Sequence, residues 1–107
     1  MEVVLKVWAY VLDMFKPLDI SAKELFNIVS SDPLELFNIV KEVIKEYVKD
    51  IKNVKVRNIY LSKEEQELLI EYIVECELGE ITLKIIHSEN PSVTLQKYYE
   101  HCKRQSS

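Results

Sequence analysis

The chain has 107 residues, 48% of them hydrophobic and 30% charged, with a net charge of −4. It is long enough for one domain that buries about 60–68% of its unfolded surface, and too apolar to be read as disordered. A single glycine excludes a glycine-rich phosphate loop, and the apolar run VVLKVWAYVLDMF falls short of the roughly 20 residues that a membrane-spanning helix needs.

Lys6 and Asp13 interrupt that run and no small-residue cleavage site follows it, so the pattern does not read as a signal peptide and a cytoplasmic location is expected. Cys76 and Cys102 have no paired spacing and fit reduced thiols. Lys and Glu together number 26 against three Gln, a bias that resembles proteins of thermophilic archaea and their viruses. Residues 1–104 read as a single domain, with 105–107 as a frayed tail.

Segment 2–15 fits two templates. As a helix it places Glu2, Lys6, Asp13 and Lys16 on one polar stripe. As a strand it turns Val3, Leu5, Val7, Ala9 and Val11 to one side, and valine favours strands. The helix is the reading preferred here.

Glu-Leu-Phe-Asn-Ile-Val then occurs twice, from Glu24 and from Glu35. Ser30-Ser31-Asp32-Pro33 lies between the copies, with Asp32 suited to an N-cap and Pro33 to a first helical position. The pattern therefore predicts two helices joined by a tight turn at 30–33, one over about 21–29 and one from Pro33 to about Ile51. The first opens with Ser21 and Glu24 in capping-box spacing. The second carries an apolar stripe through Leu36, Phe37, Val40, Val43, Ile44, Tyr47, Val48 and Ile51. Two copies are too few for a solenoid.

From Asn53 the period shortens to two. VKVRNIYL (54–61) reads as a strand and SKEEQ as a loop or a single helical turn. The segment 68–77 fits a helix capped by Ser62 as well as a strand, but alternation on both sides of Gly79 favours a hairpin over 68–87. Asn90-Pro91 begins a C-terminal helix with Leu95, Tyr98, Tyr99 and Cys102 on one face. The fold class expected is α+β: N-terminal helices, a three-stranded antiparallel meander over about 54–87 and a closing helix, an arrangement compatible with a winged helix.

Charge is unevenly spread. Residues 62–80 hold seven glutamates and one lysine, whereas residues 1–61 balance nine against nine. On a strand, Glu67, Glu71, Glu75 and Glu77 would project from one face, with Ile73 between them. Such a face attracts a basic partner surface, although glutamates also keep a sheet face soluble. Trp8 and Tyr10 would be interface anchors if exposed, and a broad apolar N-terminal face is also compatible with a homodimer.

A winged helix would place 33–51 in the DNA major groove, with Lys41, Lys45, Lys49, Lys52, Lys55 and Arg57 on phosphates. Glu42, Glu46 and Asp50 form a neighbouring stripe, the pattern of a solvated, salt-bridged face. Neither histidine, His87 or His101, sits in a catalytic or metal-ligand motif. The expectation is a small non-enzymatic protein-interaction or accessory regulatory module, without metal or cofactor and without a membrane role. Its binding residues would be Glu67, Glu71, Ile73, Glu75, Glu77, Trp8 and Tyr10, and a winged-helix-like DNA-binding regulator is the alternative.

Overall fold

A computed structural model describes residues 6–64 and 66–106. The elements are β1 (Lys6–Val11), β2 (Met14–Leu18), α1 (Ala22–Ser31), α2 (Pro33–Ile44), β3 (Asn53–Ser62), β4 (Glu67–Cys76), β5 (Gly79–Ser88) and α3 (Pro91–Ser106). The strands form one antiparallel sheet in the order β2-β1-β5-β4-β3. The domain is α+β, but the meander expected over 54–87 supplies only three of five strands, and the chain opens with a hairpin rather than a helix.

That hairpin corrects the helical reading of 2–15, of which residues 2–5 lie outside the described residues. Val7, Ala9 and Val11 are buried on one side of β1, while Trp8 and Tyr10 lie on the other among partly buried aromatics. Two covered sides make such a strand apolar all round, which is why it also fits a helix. Its turn is hidden in the sequence because Leu12 and Asp13 both adopt positive φ, 50° and 60°. Two-residue hairpin turns of that kind normally carry Asn or Gly.

The two helices are placed by their caps. The Ser21 hydroxyl accepts from the Glu24 amide at 3.1 Å, and the Asp32 carboxylate accepts from the Leu34 amide at 3.0 Å. Asp32 also closes α1, its own amide donating to the Ile28 carbonyl at 2.8 Å. One residue thus ends one helix and starts the next, with Pro33 first in line. The second helix stops at Ile44, not Ile51. Beyond it the chain turns, Asp50 takes a φ of 54°, and the Lys52 amide bonds the Glu75 carbonyl at 2.8 Å. Val48 is buried and Ile51 packs beside it, so the apolar period continues after the helix has ended.

α1 and α2 together cover one face of the sheet. Leu25, Leu36, Phe37, Val40 and Ile44 meet Ile70, Tyr72, Val74, Leu83 and Ile85 there. α3 crosses the other face, where Leu95 and Tyr98 pack on Leu69 and Ile86. The result is three layers, with the sheet in the middle. This also corrects the winged-helix comparison: the helix pair lies flat on a five-stranded sheet, its apolar stripe committed to the core.

Candidate functional site

The face beneath α3 is where charge converges. β4 and β5 pair with Glu71 directly opposite Lys84. The two side chains are 8% and 4% exposed, with 3.3 Å between ammonium and carboxylate. The Tyr98 hydroxyl of α3 donates to the same carboxylate at 2.9 Å, and Nε of Arg57 on β3 lies 3.5 Å from it. A β-bulge between Val56 and Asn58 sets Arg57 and Asn58 side by side at the rim. Lys84 also reaches the Thr82 hydroxyl at 3.4 Å, and lies 5.6 Å and 5.4 Å from the ring centres of Tyr10 and Tyr99. Burial, followed by hydrogen bonding to Cys102 and Glu71, raises the Tyr98 phenol far above its ordinary value, so it remains a donor.

A second buried carboxylate sits at the start of β4. Glu67 accepts from the Thr94 hydroxyl and from Lys97, the latter at 3.0 Å. These contacts tie the N-terminal half of α3 to the sheet, as Tyr98 and Glu71 tie its centre.

The seven residues expected to contact a partner are therefore divided. Glu67 and Glu71 are buried under α3 and are held by cations. Ile73 is half-buried on the same face, and Trp8 and Tyr10 are half-buried along its margin, Tyr10 against Phe15 at 4.6 Å between ring centres. Only Glu75 and Glu77 are exposed. They stand at the β4–β5 turn, where Glu75 lies directly opposite Glu80 and Leu78 is 56% exposed. Gly79, with φ 92° and open space where a Cβ would be, permits the turn.

The six basic residues of the alternative reading do not share one surface. Lys41 and Lys45 lie on α2, Lys49 and Lys52 in the segment after it, and Lys55 and Arg57 on β3. Lys45 is bound to Glu42 at 2.6 Å. Arg57 faces the cluster under α3, and the register sets Lys55 beside Ile73 on that same side of the sheet, whereas α2 covers the opposite side.

The β1–β2 and β4–β5 turns lie toward the same end of the sheet, the latter about four residues further along β5. Leu12, 41% exposed, lies with Asp13 beside Ile81, Thr82 and Tyr99 around a small recess of about 190 Å³. Glu80, Gly79 and Leu78 follow directly along β5 and its turn. Leu12, Met14, Leu78 and Tyr99 are all exposed large apolar side chains. What the sequence concealed was the third layer: because α3 covers it, the side of β4 and β5 that alternation marks as outward is largely interior.

His87 faces the helix pair, edge-on to Phe26 at 5.5 Å, while His101 lies against Tyr60 on the α3 face at 5.2 Å. Cys76 is an unbridged thiol in the helix-pair core, and the Cys102 side chain is half-buried under α3 beside Tyr98. Among the described residues no group of three or more His, Cys, Asp or Glu converges on a metal position, and no helix is long and apolar enough to cross a membrane. Comparison with known proteins found no matching family model, no matching curated protein and no matching solved structure.

Proposed function

We propose that the protein is a small non-enzymatic interaction module whose contact surface is the end of the sheet formed by the 12–13 and 77–79 turns. The observation that carries this reading is Leu12. A leucine held at φ 50° costs on the order of 1–2 kcal/mol relative to the right-handed region, and here it is also turned to solvent. Strained backbone of this kind, held by the structure around it, clusters at binding and switch sites.

The surroundings favour a particular partner. Leu78 and Met14 are further exposed apolar side chains toward this end, and Asp13, Glu77 and the opposed Glu75 and Glu80 add acid there. Like charges directly across a strand pair oppose folding, and a basic partner would relieve that repulsion. The partner surface is therefore basic with an apolar centre, as in many protein interfaces. The non-enzymatic reading rests on the sequence, in which neither histidine lies in a catalytic or metal-ligand motif.

Affinity capture from a cell extract with three forms of the protein tests this. Wild type and a Leu34→Ser/Ile39→Ser control, altered on α2, retain a common partner, whereas Leu12→Ser/Leu78→Ser loses it. Equal recovery by all three would remove the turn surface from the account.

A further inference from the structure

The cluster under α3 opens to solvent through a cleft of about 520 Å³, bordered by Arg57, Asn58, Thr82, Lys84, Tyr99 and Gln105, with Glu71 on its floor. Among the described residues Glu71 is the only carboxylate lining it, against two cations, so these side chains carry a surplus of one positive charge inside a protein of net charge −4.

The contacts show that Glu71 does not saturate those cations. Charge-assisted hydrogen bonds run at about 2.7–2.9 Å, but Lys84 lies 3.3 Å from Glu71 and 3.4 Å from Thr82. Arg57 reaches Glu71 through Nε alone, at 3.5 Å, and is 59% exposed. The planar end of a guanidinium is the part that grips an oxyanion in bidentate fashion. The Tyr98 hydroxyl, by contrast, reaches Glu71 at a normal 2.9 Å. Asn58, Gln105 and Thr82 add side chains able to donate from the cleft wall. A structural ion pair would need none of this openness.

We propose that the cleft binds a compact oxyanion, a phosphate or carboxylate group, between the guanidinium of Arg57 and the ammonium of Lys84. Asn58 and Thr82 orient the anion, and the Tyr99 ring flanks it. Glu71 holds the two cations in place and limits the site to a small anion, because its own charge opposes a second negative group. This site is independent of the turn surface and stands if that reading fails.

Titration of isotope-labelled protein with inorganic phosphate and, separately, acetate tests the proposal, each against chloride at matched ionic strength. Saturable shifts of the Asn58, Thr82, Lys84 and Tyr99 amides are expected. Arg57→Gln, a change at an exposed side chain, weakens binding by about tenfold or more. Lys55→Gln, which removes an equal charge two residues away on the same strand, changes it less than about twofold, as screened long-range attraction would. Saturation by phosphate alone assigns the site to phosphate-bearing ligands; saturation by acetate alone, or by both, assigns it to carboxylates or to oxyanions in general. The proposal is overturned if neither anion exceeds chloride, or if Lys55→Gln weakens binding as much as Arg57→Gln.

Discussion

Glu71 and Lys84 face each other across two inner strands of the sheet, 3.3 Å apart and almost wholly screened from water. Removing one partner of such a pair leaves an uncompensated buried charge and costs about 3–5 kcal/mol. Glu71→Leu and Lys84→Met are each expected to lose that much in urea denaturation. Glu71→Leu combined with Lys84→Met removes both charges and recovers most of the loss, since the Tyr98 hydroxyl keeps Asn58 and Cys102 as neighbours. Additive losses in the double variant would mean that the two charges are not coupled.

The Leu12-Asp13 turn separates stability from binding. Leu12→Asn with Asp13→Gly supplies the residues that positive φ favours and is expected to stabilise the fold by about 1–2 kcal/mol, a rise in melting temperature of roughly 4–8 °C per kcal/mol. The same variant loses the apolar tip and with it the partner named above. A lower melting temperature would show that Leu12 is held by packing rather than strained for display.

Local signals were legible wherever one residue sets the backbone. Ser21 and Asp32 cap the helices whose starts they mark, and Gly79 turns the hairpin. What stayed hidden depends on which surfaces meet. Nothing in Leu12-Asp13 marks a turn, so β1 and β2 merged into one amphipathic segment. Val48 and Ile51 kept the helical period of α2 because the core needs apolar groups there whatever the local backbone. Glu67 and Glu71 read as an outward, partner-facing side because alternation identifies two sides of a strand without saying that both are covered. The unbroken run Leu68-Leu69-Ile70 in β4 was the available sign, since a strand buried on both faces loses its alternation.

Duplex DNA is expected not to bind in a salt-dependent manner, even at low ionic strength. Phosphate contacts gain affinity when several cations track one backbone, yet the six candidate cations are split between α2 with its following segment and the far side of β3, and Lys45 is paired with Glu42. Fluorescence anisotropy of a labelled duplex checks this. Tight binding that falls steeply with salt would return these residues to a shared surface.

His87 makes the fold sensitive to acid. The ring is 3% exposed, lies against Phe26, and neither of its nitrogens has a partner in hydrogen-bond geometry among the described residues. Burial lowers its pKa below the ordinary 6.5, and the Gln66 backbone, which favours the protonated ring, offsets only part of that shift. Between 6.5 and the lowered value the unfolded chain binds a proton that the folded chain does not, so stability falls as pH drops through that window. Above about pH 7 both states are neutral at this position and His87 contributes no slope. Urea midpoints at pH 7.5 and 5.5 should therefore differ more for wild type than for His87→Leu, which replaces the ring with an apolar group of similar reach. Equal acid losses in the two proteins would show that the imidazole takes its proton within the folded state.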